Sequence, residues 1–486
     1  MNKLIKNELF KISKKKVIYI LFIIIALVIV VNTAIGTSIY GGTIVDHTQE
    51  ARKQKQVELM NQLKQIEPEK NVDDYVEIKT ELDMENLVMS YPYGSWQERV
   101  ITKYENALKE ILRQINMYTY KIEDKEELAK MQSKYNTFLQ PLKEDNWKSF
   151  VSKEITIIEQ NIKELEKEII KTDDEEQKNI IKAQMQQYKF DLEILTLRLS
   201  ENISYATSDR NTLLKEYEDN KQTLNAYPKD YGKYNYNEKL QYNKTLESVK
   251  ELEYKIHNNI PTLEADNARG MLNSSFEFYE ILIILVIIII AGSIVSEEFN
   301  KGTIKLLLVK PFMRWKILLS KFLASVIILI ILILFIIILQ TLVGGFIYGF
   351  DTYKVPIIQY NFDMQKVQSI NVFISVFILV LAKLPMYLLV LSITFAISTI
   401  SCNTSISIIL GMLVYLSKNI IYLNDNLEFT KYLLTTNWDF TRYLFGKLPE
   451  VSFLKFDFSI MICLISFIVI MFITFIYFKN KDIKNI

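Results

Sequence analysis

The sequence predicts an all-α membrane protein: six transmembrane helices, with an elongated helical, coiled-coil extracellular domain inserted between the first and second. Three observations lead there. Half of the 486 residues are hydrophobic, an ordinary share, but they cluster in long runs near both ends of the chain. The middle is polar and of opposite charge: residues 46–277 hold 34 Lys and Arg against 44 Asp and Glu, net −10, while the remainder holds 23 against 12, net +11. Within that polar middle, apolar residues recur at alternating spacings of three and four. A basic membrane part and an acidic water-facing part are thus separate regions behind an overall charge of +1.

Residues 1–16 form a cytoplasmic N-terminal element. LIKNELFKISKKK sets Leu4, Ile5, Leu9, Phe10 and Ile12 among lysines, the pattern of an amphipathic helix on an anionic inner leaflet; a basic flank that only sets topology is the alternative. A helix needs roughly 20 apolar residues to cross a hydrocarbon core of about 30 Å. Segments 17–40, 278–295, 317–349, 372–398, 405–423 and 458–478 supply them. Each must be helical, because lipid offers the backbone no hydrogen-bond partner. The first follows Lys3, Lys6, Lys11, Lys14, Lys15 and Lys16 but runs long and lacks a small-residue cleavage site, so it reads as an uncleaved anchor. Lys and Arg accumulate in 1–16, in 296–316 and in the tail 479–486. That places these segments and both termini in the cytoplasm, and residues 41–277 with the loops 350–371 and 424–457 outside. Richness in Ile, Lys, Asn and Tyr fits an AT-rich, bacterial genome, and the location is the cell membrane.

The 41–277 insert is punctuated by Pro68, Pro92, Pro141, Pro228 and Pro261. Ile101, Tyr104, Leu108, Ile111, Ile115, Tyr118 and Ile122 keep a heptad spacing, as do Val151 to Ile169 and Ile181 to Leu199. A seam continued through KTDDEEQKN would bury Asp173 and Glu176, so the helix must break there. Thr172 with Glu175 reads as a capping box that starts the second arm of an antiparallel hairpin, each arm about 25–30 residues or roughly 40 Å. These stripes are structural seams. The acidic balance gives no basic patch for nucleic acid. YPKDYGKYNYNEKLQYNK reads as a polar loop, with an adhesive or peptide-contacting patch as the alternative. His47 and His257 read as surface residues, and Cys402 and Cys463 both belong to the apolar regions, so no disulfide staples the insert.

Chemistry-bearing motifs are missing. There is no G-x-x-x-x-G-K-[ST] phosphate loop, G-x-S-x-G, H-E-x-x-H or Cys/His cluster in the sequence. The chain is therefore expected to be non-catalytic and to need no cofactor. What stands out is SEEFNKGTIKLLLVKPFMRWK, residues 296–316, set between two of the most apolar stretches. Glu297 and Glu298 can pair with basic groups on a partner. Gly302 allows a sharp turn or a close approach, Pro311 ends the element, and Arg314 with Lys316 holds it at the headgroups.

The spacing E-x-x-x-G-T-[IL]-x-x-L-x-x-x-P-x-x-R, here EFNKGTIKLLLVKPFMR, resembles the coupling helix between spans two and three in the permease subunit of type 2 ABC exporters. The six spans, the basic amphipathic N-terminal helix and the loop TKYLLTTNWDFTRYLFGKLP, similar to short helices that dip back at the outer face, extend the resemblance to about half the chain. The large insert departs from the minimal pattern. The resemblance implies docking of a separate cytosolic ABC ATPase on Glu297, Glu298, Gly302, Thr303, Lys305, Pro311 and Arg314. It also implies a path formed in the lipid membrane by a homodimer or with a sister permease. The cargo is then an antimicrobial peptide, a drug or another envelope-active compound. A non-transporting envelope scaffold, receptor or secretion-accessory protein with the same membrane fold is the alternative.

One intramembrane charge remains. Lys383 lies about twelve residues into the fourth apolar segment, followed by Pro385. At the bilayer centre a lysine costs about 2.5–3.5 kcal/mol on insertion scales, so it must line the path, pair with an acid on a partner, or snorkel to the outer surface. The run SITFAISTISCNTSISI reads as a close helix-packing face.

Overall fold

The computed structural model describes residues 1–40, 47–66, 71–121, 125–228, 230–261, 267–304, 312–422 and 428–481. They are almost entirely helical, apart from one two-stranded antiparallel hairpin, Ile357–Asn361 with Lys366–Ile370, in which Ile357 faces Ile370. The chain divides into two units: residues 1–42, 229–251 and 263–486 in one, 43–228 and 252–262 in the other.

The first unit holds the apolar helices. Among the described residues, five are long and apolar enough to cross a membrane: Lys16–Ile35, Glu280–Asn300 (taken across a break at Val295), Arg314–Tyr348, Val372–Ser401 and Phe456–Asn480. The segment expected at 405–423 forms an α-helix only over Thr404–Leu416, 13 residues, or about 20 Å at 1.5 Å per residue. From Ser417 the chain tightens into a 3-10 turn through Tyr422, where the polar run Ser417-Lys418-Asn419 interrupts the apolar pattern. The most enclosed of the long helices begins at Glu280. It packs against Arg314–Tyr348, Val372–Ser401 and Thr404–Leu416, and Ile283, Ile284, Leu332 and Phe395 are fully buried in the shared core. The Ser/Thr run lets these helices approach closely. A Cβ on Gly411 would stand 2.6 Å from Thr394 Oγ1, and Ser398 Oγ donates to Gly292 O at 2.8 Å while accepting the Ser296 N–H at 3.1 Å. Before the last long helix the chain makes short helical turns, Glu428–Tyr432, Leu434–Asn437 and Phe440–Gly446.

The second unit is a set of amphipathic helices with its own core, including Met84, Val100, Leu108, Phe150 and Leu195. The expected hairpin is present: Trp147–Lys171 and Glu175–Ser200 pack on one another, with arms of 25 and 26 residues. Its cap differs from the expected box. Thr172 closes the first arm, its hydroxyl donating back to Glu168 O at 2.9 Å, and Asp174 caps the second by accepting the Glu176 N–H at 2.9 Å. An aspartate one residue from the helix outcompetes a threonine already committed to the preceding turn. The 101–122 seam is likewise split at Tyr104, between helices Trp96–Lys103 and Glu105–Lys121; Ile122 and Pro68 lie outside the described residues. Half of the Tyr/Asn-rich run, in the part that belongs to the first unit, is also not loop: helix Tyr236–His257 begins within it.

Candidate functional site

The 296–316 block begins as a five-residue helix, Ser296–Asn300, that breaks from the preceding helix at Val295. Gly302 ends it. Its φ of +68° is open to glycine but strained for other residues, its N–H donates to Phe299 O at 3.0 Å, and no atom lies within 4 Å of where a Cβ would stand. The sharp-turn reading therefore holds, and no close approach requires the glycine. Gly302→Ala is expected to cost about 1–2 kcal/mol through the backbone alone. Faster trypsin cleavage after Lys301 would report the loosened turn; unchanged cleavage would remove the glycine from its role.

Glu298 does not face outward. It is 9% exposed, and Oε1 accepts Lys11 Nζ and Lys321 Nζ, each at 2.8 Å. Lys321, 1% exposed, also reaches Glu8 Oε2 at 2.8 Å and Ile294 O at 3.3 Å, and Lys11 reaches Glu8 Oε1 at 3.1 Å. Two carboxylates and two ammonium groups thus form a quartet, three of its members buried and Lys11 exposed, joining the N-terminal helix Asn2–Ser13, the turn after Ile294 and the start of the 35-residue helix Arg314–Tyr348. Burial alone would raise the Glu8 carboxyl, but Lys321 and Lys11 outweigh it and hold it below the usual glutamate value. Lys11 shows the mirror case: burial opposes its charge, yet Glu298 and Glu8 hold its pKa above the ordinary lysine value. Glu297 stays half-exposed and pairs with Lys15 at 3.0 Å. A cavity of about 580 Å³ opens beside the quartet.

The other expected block residues divide as follows. Thr303 Oγ1 lies 3.4 Å from Glu298 O. Arg314 Nη1 donates to Lys479 O at 3.1 Å and Lys481 O at 3.0 Å, capping the last helix. Lys481 in turn reaches Ile400 O at 3.3 Å. Lys305 and Pro311 lie outside the described residues.

A second charged cluster occupies the opposite end of the helix Glu280–Ile294. Tyr279 breaks the backbone between Ala268–Phe278 and this helix, which sets Glu280 in its first turn, where a carboxylate suits the helix dipole. Lys383 finds its acid within its own chain. It pairs with Glu280 and lies 3.6 Å from Asp439. Glu280 also accepts Lys418 and, at 2.8 Å, the Tyr415 hydroxyl. Lys418–Glu280–Lys383–Asp439 is thus an alternating chain of four charges. A cavity of about 410 Å³ borders it.

Glu8, Lys11, Lys321, Glu280, Lys418 and Asp439 are the residues that pattern reading missed. Signals existed. Glu8 is the lone acid among the lysines of residues 1–16, and Glu280 and Lys418 are lone opposite charges inside segments 278–295 and 405–423.

Residues 240–484, half of the chain, match the family described as protein of unknown function (DUF2705). The chain belongs to the DUF2705 family. Over 237 residues it is also 29% identical to a Bacillus subtilis (strain 168) protein named uncharacterized protein YhcI, covering 48% of this chain and 74% of that relative. No solved structure matches it. Within this DUF2705 chain the Glu280 cluster falls wholly inside the matched region, as do Glu298 and Lys321; the helix carrying Glu8 and Lys11 and the whole of residues 43–228 fall outside it.

Proposed function

We propose that this DUF2705 chain is the membrane permease subunit of an ATP-driven ABC exporter. It has six spans, both ends in the cytoplasm and the helical insert outside. Separate cytosolic ATPase subunits dock on the 296–316 block, and two such permeases, identical or sisters, enclose the path. The observation that carries the reading is the Glu8–Lys11–Glu298–Lys321 quartet. A push on the turn after Ile294 is passed at once to the N-terminal helix and to Arg314–Tyr348, which is what a coupling element must do. Because Glu298 is engaged inside the chain, docking falls to the exposed part of the block, and Lys301, with its side chain 70% exposed, is its clearest member.

Lys301→Glu is expected to abolish co-purification with the cognate ATPase and its stimulation, at an unchanged unfolding temperature. If assembly and stimulation survive both this change and Gly302→Pro, the coupling reading is wrong. The rival reading, a non-transporting envelope scaffold or receptor, draws on the separate core of the insert. It needs no ATPase, so failure of any ABC ATPase to bind the intact protein would favour it.

A further inference from the structure

The cavity beside Glu280 has an unbalanced charge and an apolar side. Among its ionised lining groups, Lys418, Glu280, Lys383 and Asp439 sum to zero, and Arg442 Nε pairs with Glu450 at 3.2 Å. That leaves Glu277, one helical turn before Glu280, exposed and without an ion pair among the described residues. Among the described lining groups the site thus carries one surplus negative charge. Next to it the lining changes character. Phe278 and Ile281 are 58% and 48% exposed, and with Leu379 they form an apolar wall on helices read as meeting lipid. An ammonium has three hydrogens to donate and no acceptor. Glu277 and the Asn273 side-chain oxygen, which already accepts Ser375 Oγ at 2.7 Å, offer acceptors at the charged end. At about 410 Å³ the cavity lies in the size range of small-molecule sites.

We propose that this cavity binds a cationic amphiphile, with a single ammonium head at Glu277 and its apolar chain along Phe278, Ile281 and Leu379. An anionic head would meet the surplus negative charge, and a neutral head would gain nothing from it. Binding here needs no ATPase and stands whether or not the ligand is carried across the membrane. The ammonium could come from a bilayer lipid such as phosphatidylethanolamine or from a free amphiphile, and both present the same chemistry.

The test uses the full chain in phosphatidylcholine nanodiscs, titrated with radiolabelled dodecylamine, with partitioning into empty nanodiscs subtracted. One saturable site per chain is expected, with none for dodecanoate of the same chain length. Glu277→Gln, at an exposed position that leaves the fold intact, is expected to weaken binding about two- to fivefold, the range of a partly solvated charge pair. Ile281→Trp, which fills the apolar side, is expected to remove the saturable component. Loss of dodecylamine binding when phosphatidylethanolamine is added identifies a lipid occupant, and persistence identifies a free amphiphile; either supports the site. Absence of a saturable component, equal binding of dodecanoate, or an affinity unchanged in both variants overturns it.

Discussion

Lys321→Met is expected to lower the unfolding temperature of the detergent-solubilised protein more than any other single change at the quartet. Lys321 is the member with no route to water. Its side chain is 1% exposed, and it reaches both Glu8 Oε2 and Glu298 Oε1, each at 2.8 Å. Removing it leaves two buried carboxylates sharing the half-exposed Lys11 as their remaining described counter-charge. Breaking a buried pair in this way costs about 3–5 kcal/mol, most of it the desolvation of the partners left behind. For a folded unit of this size that corresponds to a fall on the order of 10 °C. Lys11→Met should cost about 1 kcal/mol or less, because the Lys11 side chain is 41% exposed and water replaces it. The triple change Glu8→Gln, Glu298→Gln, Lys321→Met should recover most of the loss, since no buried charge then remains. An unfolding temperature for Lys321→Met equal to that for Lys11→Met would show that the quartet does not hold these elements together.

At the other end, Glu280→Gln is expected to be the most damaging change. Within this cluster, Glu280 is the acid that serves both Lys383 and Lys418. Among the described residues its loss leaves Lys418 without an ion-paired carboxylate and Lys383 with Asp439 alone, at 3.6 Å. The change keeps the side-chain shape, so its cost reports charge and not packing, and should again be about 3–5 kcal/mol. Lys383→Met should follow, since Glu280 keeps Lys418. Lys418→Met should be mildest, because that side chain is 26% exposed. Thermal unfolding of the three variants checks the order Glu280, Lys383, Lys418; a reversed order would mean that the alternating chain is not what stabilises this end.

Much of the architecture was legible because it depends on local pattern. Long apolar runs become long helices for lack of any other way to satisfy their backbone, and Asp173 with Glu176 betrays the hairpin break because a seam cannot bury them. Where reading failed, competition was decided over one or two residues: Asp174 over Thr172 for a cap, or Ser417 to Asn419 ending a helix that average hydropathy extends. The sites were legible only as unpaired charges. Lys383 and Glu298 could each be flagged as needing a partner, but Glu280 lies 103 residues from the first and Lys11 lies 287 from the second. No spacing rule spans such distances. The Glu298 flag pointed to a partner on another chain, which for Lys383 was one reading beside lining the path or snorkelling, whereas tertiary packing had brought the partners from within.

The distance between Glu280 and Lys383 also has a consequence in time. The ribosome reaches Lys383 only after making 103 further residues, a delay of roughly 5–20 s at ordinary elongation rates. For that interval the segment starting at Glu280 carries an acid with no base to neutralise it and is a poor candidate to enter lipid by itself. Its release from the insertion machinery should wait for the segment bearing Lys383, so that these two helices partition into the bilayer as a pair and not in the order of their synthesis.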